Sequence, residues 1–178
     1  MKTATSIKTK KLIFSALMAA LVCVATWLVK LPMPLGYIHL GDAPVILAAF
    51  LLSPWYGFLA AGIGSCMADL FAGYAIYAPV TFLIKGCMVL VVRGILSLWK
   101  KKQSKKQLPA QIVAAVSAEL LMIFGYFLFE GFLYEFGAAA TAIPFNAIQG
   151  AAGAILGLIL VHALKKSRFD DLWNTFEN

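Results

Sequence analysis

Ionisable side chains interrupt the apolar runs in the first half of this chain at His39, Asp42, Asp69 and Lys85. A fifth, Glu119, lies near the middle of a later apolar run. Such groups are expensive inside hydrocarbon, and a membrane protein that keeps several of them usually has a site or a pathway that uses them. The pattern predicts a protein that handles a polar solute within the membrane.

Each of these residues has a structural and a functional interpretation. Asp42, in Leu-Gly-Asp-Ala-Pro, either caps a helix N-terminus or contacts a ligand there, and His39 is a loop residue or a gate. Asp69 and Lys85 form a structural ion pair or line a cavity, in which the lysine binds a ring oxygen or an anionic group. Glu119 either bonds to neighbouring helices or contacts substrate.

Two amides and two tyrosines complete the candidate site. Asn146 and Gln149 are three residues apart and share a helix face, where they read a heteroaromatic ring or pack between helices. Tyr74 and Tyr77 lie in a short polar-aromatic connection and either line a cavity or anchor the membrane interface. The predicted substrate-binding set is therefore His39, Asp42, Asp69, Tyr74, Tyr77, Lys85, Glu119, Asn146 and Gln149.

The composition defines the class of protein that must position these residues. The 178 residues are 62% hydrophobic and 13% charged, whereas a soluble domain is typically about 45–50% apolar and about 25% charged. We expect one all-α integral membrane domain over residues 1–178, multi-pass in a bacterial cell membrane. The net charge of +7 does not indicate nucleic-acid binding, because the basic residues cluster at the two ends and in one loop.

Five apolar runs are long enough to cross a membrane, and a sixth, Asp42–Leu52, is short. Because the basic clusters require an even number of crossings before the lysine loop, we count the short run separately and predict six transmembrane helices. They are Leu12–Val29, Asp42–Leu52, Trp55–Phe71, Pro79–Trp99, Pro109–Phe129 and Pro144–Leu164. Lysines before the first run, in the loop of residues 100–106 and after the last run place both termini in the cytoplasm by the positive-inside rule.

This orientation puts three connections outside: Lys30–Gly41, Ala72–Ala78 and Glu130–Ile143. Their concentration of aromatic residues, next to most of the buried carboxylates, favours a cavity that opens outward. We expect the first connection to act as a mobile gate, and we expect Glu130 and Glu135, which border the third, to be solvated.

The order of these features resembles the substrate-binding S component of an energy-coupling factor (ECF) vitamin transporter, in its riboflavin-transporter-like branch. The resemblance is carried by GYIHLGD, GFLAAGIGSCMAD, GYAIYAP, Ile84-Lys85-Gly86 and IPFNAIQG, in that order along most of the chain. It implies a six-helix protein that binds a vitamin from outside, often under the loop between its first two helices.

The same resemblance implies that the protein docks on a membrane T subunit powered by two ATPase subunits, and delivers its vitamin inward. The small pair Ala16 and Ala20 on the first helix matches the docking motif of these proteins. No Gly-Lys dipeptide occurs, so the chain has no Walker A motif. We expect no cofactor or metal on this chain, and ATP is used by the partner subunits.

Two other classes of function remain as alternatives. A stand-alone secondary carrier commonly has an internal repeat, which we do not find. An intramembrane enzyme is less favoured, because HExxH, GxSxG and aspartate-rich metal motifs are missing from the sequence. Pyridoxine, hydroxymethylpyrimidine and riboflavin fit the residues equally well as ligands.

Overall fold

A computed structural model describes residues 4–33, 35–101 and 107–166. Within them the elements are α1 (Ala4–Leu28), β1 (Lys30–Pro32), β2 (Tyr37–His39), α2 (Asp42–Leu51), α3 (Pro54–Ala72), α4 (Ala78–Lys101), α5 (Gln107–Tyr134) and α6 (Phe136–Lys166). All helices except α2 are long and apolar enough to cross a membrane. The predicted all-α membrane protein with six helices is confirmed.

Helix α2 lies in the centre of the bundle. Its ten residues are about 15 Å long, about half the thickness of the hydrocarbon layer. Every residue from Asp42 to Phe50 is buried, as expected for a helix that is apolar on all sides. It runs beside α4 in the same direction, since Asp42 pairs with Lys85 and the Leu52 carbonyl accepts a hydrogen bond from Arg93 Nε at 2.9 Å.

Small residues bring the outer helices close together. A Cβ atom on Gly64 of α3 would lie 2.4 Å from the backbone oxygen of Ala19 in α1. In the same way, a Cβ on Gly86 of α4 would lie 2.6 Å from the ring of Phe58 in α3. These contacts are the close approaches that small residues permit between membrane helices.

The α5–α6 connection differs from its prediction. The segment Glu130–Ile143 is helical except at Glu135, which has a positive φ of 115°. Helix α6 therefore begins eight residues before Pro144, which lies inside it. Alanine is the strongest helix former, and the run Gly137–Thr141 contains three alanines that continue the helix on the N-terminal side of the proline.

One end of the bundle collects the basic residues. Ser53 between α2 and α3, Gln107 at the start of α5 and Lys165 at the end of α6 line one cavity, so these chain segments meet at the same end. The positive-inside rule makes this end cytoplasmic. Lysines 102, 105 and 106 of the predicted basic loop, and Arg168, lie outside the described residues.

The connection between α1 and α2 is a β-hairpin, which the sequence patterns did not predict. Strands β1 and β2 pair antiparallel, with Lys30 opposite His39 and Pro32 opposite Tyr37. The hairpin lies at the other end of the bundle from the basic residues. A Cβ atom on Gly41, where the hairpin leads into α2, would lie 1.9 Å from Thr26 Oγ1, so the hairpin end is held against α1.

Candidate functional site

A chain of buried polar contacts connects the hairpin to three helices. The backbone N–H of His39 donates to Gln149 Oε1 at 3.0 Å, and Gln149 Nε2 donates to Asp42 Oδ2 at 2.7 Å. The other oxygen of Asp42 forms an ion pair with Lys85 Nζ, and both side chains are fully buried. We call these four residues the hairpin anchor, because they attach β2 to α6, α2 and α4.

The hairpin anchor corrects two predictions. Lys85 pairs with Asp42, so the proposed Asp69–Lys85 ion pair is wrong. Asp42 makes no N-cap hydrogen bond, since Gly41 occupies the cap position and the carboxylate turns into the bundle. The physical reason is the shortness of α2, which begins below the outer surface, at the depth of Lys85, about two turns into α4.

Above the anchor lies a small cavity under the hairpin. Its volume is about 30 Å³, and it is lined by Met33, Leu35, Gly36, Tyr37, His39, Asp69, Tyr74, Tyr77, Thr81, Tyr126, Glu130, Asn146 and Gln149. Six of the nine predicted binding residues line this outer cavity: His39, Asp69, Tyr74, Tyr77, Asn146 and Gln149. Asp42, Lys85 and Glu119 lie behind its wall instead.

A glycine turn at the end of α3 brings two cavity residues together. Gly73 has a φ of +84°, a left-handed conformation that glycine adopts without steric cost. The turn lets the Tyr74 N–H donate to the Asp69 carbonyl at 2.8 Å, as in a common helix C-terminal motif. The Tyr74 ring then lies 5.0 Å from the ring of Tyr37 in the hairpin.

Two carboxyl groups line the outer cavity. Asp69 Oδ1 accepts a hydrogen bond from the Tyr37 hydroxyl at 2.7 Å, and Glu130 Oε1 accepts one from the Tyr77 hydroxyl at 3.4 Å. The second oxygen of each group is buried without a hydrogen-bond partner among the described residues. The predicted solvation of Glu130 is wrong, because its side chain is 1% exposed.

Seven of the thirteen residues that line the outer cavity are not among the predicted binding residues. Four of them belong to the predicted gate, and the other three, which sequence reasoning missed, are Thr81, Tyr126 and Glu130. The Thr81 and Tyr126 hydroxyls lie 3.0 Å apart and connect α4 to α5. The spacing could have indicated the two residues of α5, because Met122, Tyr126 and Glu130 are four residues apart, share one helix face and are all buried. Glu130 continues this buried stripe into the last turn of α5.

The His39 side chain is neutral at the cavity wall. Burial, assisted by the nearby Lys85 charge, lowers the pKa of His39 to about 4, although Asp42 opposes the shift. Its Nδ1 accepts a hydrogen bond from the Gly41 N–H at 3.1 Å, and only an unprotonated ring nitrogen can do so. In the same hairpin, burial and the neighbouring Asp69 raise the pKa of the Tyr37 hydroxyl.

Glu119 is buried below the outer cavity. It is 4% exposed, and neither carboxyl oxygen has a hydrogen-bond partner among the described residues. The space for it is left by glycines of α6, because a Cβ on Gly153 would lie 3.0 Å from Glu119 Oε1 and 2.5 Å from Asp42 Cβ. Glu119 therefore adjoins the hairpin anchor, not the cavity.

A larger cavity, of about 770 Å³, opens at the cytoplasmic end. Its lining includes Arg93, Trp99, Lys100, Gln111 and Lys165, and none of the predicted binding residues. The outer cavity is smaller, but polar groups from the hairpin, α3, α4, α5 and α6 converge on it, and it is the candidate ligand site.

Ala16 and Ala20 lie on the outer surface of α1. Both are exposed, whereas their neighbours Ser15 and Ala19 face the bundle, where Ala19 meets Gly64 of α3. The Ala16–Ala20 face therefore takes no part in packing within the described chain. It is a free surface on which another helix can approach closely.

The fold and the outer cavity together describe a multi-pass membrane protein with a polar site at one membrane face. A family model described as "ECF-type riboflavin transporter, S component" matches residues 6–166. The chain therefore belongs to this family of ECF transporter S components. It is a transporter subunit of the cell membrane and not an enzyme.

Individual relatives agree with this assignment. An uncharacterized protein encoded in a gap 3′ region of Pyrococcus woesei is 33% identical over 147 residues, which are 82% of this chain and 95% of the relative. The structure of an S component of a bacterial ECF transporter is similar with a TM-score of 0.67 and 26% identity, over 89% of this chain and 97% of that one. An S component for biotin has the same fold, with a TM-score of 0.67 and 16% identity, over 97% of this chain and 100% of that one.

Family membership settles the broad function. S components of ECF transporters bind a vitamin substrate and associate with the ECF module, so this chain is the substrate-binding subunit of such a transporter. The alternatives of a stand-alone carrier and an intramembrane enzyme are set aside.

Proposed function

We propose that this S component captures a small heteroaromatic vitamin, such as pyridoxine, hydroxymethylpyrimidine or riboflavin, from outside and with sub-micromolar affinity. The observation that carries the proposal is the outer cavity, in which polar side chains of four helices converge under a hairpin. Tyrosine rings suit the faces of a flat ligand, while Asn146 and the two carboxyl groups suit its polar edge.

Binding requires the hairpin to move. The outer cavity of about 30 Å³ has room for about one or two water molecules, whereas sites for small molecules measure about 300–1,000 Å³. In the hairpin anchor, the hydrogen bond between His39 and Gln149 must break when β2 moves away from α6. Residues Lys30–Gly41 thus act as the gate over the site.

Mass spectrometry of ligand released from the purified protein tests the proposal. We expect a heteroaromatic vitamin at close to one molecule per chain. Recovery of a different class of solute, such as an amino acid, sugar or ion, together with no binding of any of the three candidate vitamins, would contradict it.

Delivery inward takes place through a T subunit driven by two ATPase subunits, and we propose that the exposed Ala16–Ala20 face of α1 binds that T subunit. Ala16→Trp or Ala20→Trp blocks close approach of a partner helix and should abolish uptake. Ligand binding stays intact, because both alanines are exposed and no described residue of α1 lines the outer cavity.

Leu21→Trp is the matched control for the docking face. Leu21 is 45% exposed on α1 and lies about 100° or more around the helix from both alanines, so this variant should transport normally. Normal uptake by the two alanine variants with the complete complex would contradict the assignment. Loss of ligand binding would show that the face belongs to internal packing.

A further inference from the structure

We infer that Asp69 and Glu130 form an acidic subsite that binds hydrogen-bond donors of the ligand and rejects anionic ligands, phosphate esters in particular. The inference rests on the proposed function and deepens it, because it names the polar chemistry that a vitamin must carry. The subsite accepts hydroxymethyl, sugar-alcohol, ring N–H and ammonium groups.

The first argument is the unused hydrogen-bonding capacity of the two carboxyl groups. Asp69 is 5% exposed and Glu130 is 1% exposed, and both line the outer cavity. Asp69 Oδ2 and Glu130 Oε2 have no partner among the described residues. Buried acceptors are nearly always satisfied, so a ligand that brings two donors completes the site.

The second argument is that positive charge lies near the outer cavity but not on its described wall, since Lys30 Nζ is 6.0 Å from the centroid of the Tyr37 ring and Lys85 Nζ is 5.6 Å from that of the Tyr126 ring. No lysine or arginine is among the described residues that line the outer cavity, and its only basic side chain, His39, is kept neutral by burial, with a pKa of about 4. The nearest buried cation, Lys85, is held by Asp42 in the hairpin anchor. The predicted role of Lys85 in binding an anionic group of the ligand therefore has no support here.

The two arguments set the expected selectivity. A hydrogen bond to a charged or strongly polar acceptor contributes about 10- to 100-fold in affinity. A phosphate ester instead brings negative charge into a buried site whose described wall carries no lysine or arginine, and an unpaired buried charge lowers the affinity at least about 100-fold. The parent alcohol should therefore bind at least about 100-fold more tightly than its phosphate ester.

Calorimetric titration of the purified full-length protein tests this with three matched pairs. They are riboflavin and its 5′-phosphate, pyridoxine and its 5′-phosphate, and hydroxymethylpyrimidine and its phosphate. We expect one parent compound to bind at least about 100-fold more tightly than its ester. An ester that binds within threefold of its parent would overturn the inference and leave the proposed function standing.

Charge-neutral variants then identify the residues responsible. Glu130→Gln and Asp69→Asn should weaken the binding of the parent compound. Each should also reduce the ratio of the parent's affinity to the ester's affinity at least tenfold. Glu135→Gln is the matched control, because Glu135 is an exposed acid at the same end of the bundle. This variant should have the same parent-to-ester affinity ratio as wild type.

An unchanged ratio in both Glu130→Gln and Asp69→Asn would also overturn the inference. The parent-to-ester affinity ratio of the wild-type protein tests the inference even if a variant fails to fold. A protein that binds none of the six compounds would instead contradict the proposed function, and the inference with it.

Discussion

Replacing Lys85 by methionine should destabilise the protein strongly. Lys85 and Asp42 are both 0% exposed and form an ion pair in the hairpin anchor. Methionine retains most of the lysine volume, but it leaves the aspartate as an uncompensated charge inside the bundle. Removing one partner of a buried ion pair costs about 3–5 kcal/mol, and we expect a loss in this range.

A second substitution should restore most of that loss. In the double variant Lys85→Met/Asp42→Asn, the charge is gone, and the Asn side-chain oxygen still accepts the Gln149 N–H bond that Asp42 Oδ2 accepts at 2.7 Å. Replacing both partners of a buried pair by neutral groups is often close to neutral in stability. The double variant should therefore lie within about 2 kcal/mol of wild type.

Equilibrium unfolding in mixed detergent micelles, titrated with a denaturing detergent, measures these free energies. Lys30→Met is the control, because Lys30 is an exposed lysine on β1, and its effect should stay within about 1 kcal/mol. A Lys85→Met variant that loses less than about 1 kcal/mol, or a double variant no more stable than the single one, would refute the reasoning.

Three further predictions concern the hairpin and its site. The pKa of His39 is lowered from 6.5 to about 4, so the unfolded chain takes up a proton first. The contribution of His39 to the unfolding free energy, constant above about pH 6.5, should fall by about 1.4 kcal/mol per pH unit down to about pH 4. His39→Gln should remove this slope in unfolding titrations, and a persisting slope would assign it to another group. Gly153→Ala places a Cβ atom 2.5 Å from the Cβ of Asp42 and should lower the unfolding free energy by about 1–3 kcal/mol. Gly94→Ala, with nothing within 4 Å, should be neutral or slightly stabilising in the same assay. Asn146→Ala and Gln149→Ala should each weaken vitamin binding by about 1–3 kcal/mol in calorimetry, and unchanged affinity in both would move the site elsewhere.

The helices could be predicted from sequence because they depend on local patterns. Apolar runs, prolines at helix starts and three basic clusters identify six helices and the cytoplasmic side. The errors also have local causes. Pro144 favours a helix start in the sequence, but the alanine-rich segment before it extends α6 back to Phe136.

The sequence predicts which residues lie near the candidate site better than it predicts which of them contact one another. Burial of polar residues follows from their positions in apolar runs, and six of the nine predicted residues line the outer cavity. Which carboxylate meets Lys85 depends on the depth of α2 in the bundle, a tertiary property that the spacing along the chain does not contain. Gln149 illustrates the same limit, because both ends of its amide bond to the protein.

We propose that a vitamin binds to this protein from outside, beneath the hairpin. Amide hydrogen exchange of Lys30–Gly41, with and without the vitamin identified by mass spectrometry, tests it most directly. We expect these amides to exchange readily in the free protein, as the His39–Gln149 hydrogen bond opens and closes, and to become strongly protected when ligand is bound. Equal protection in the two states would contradict it.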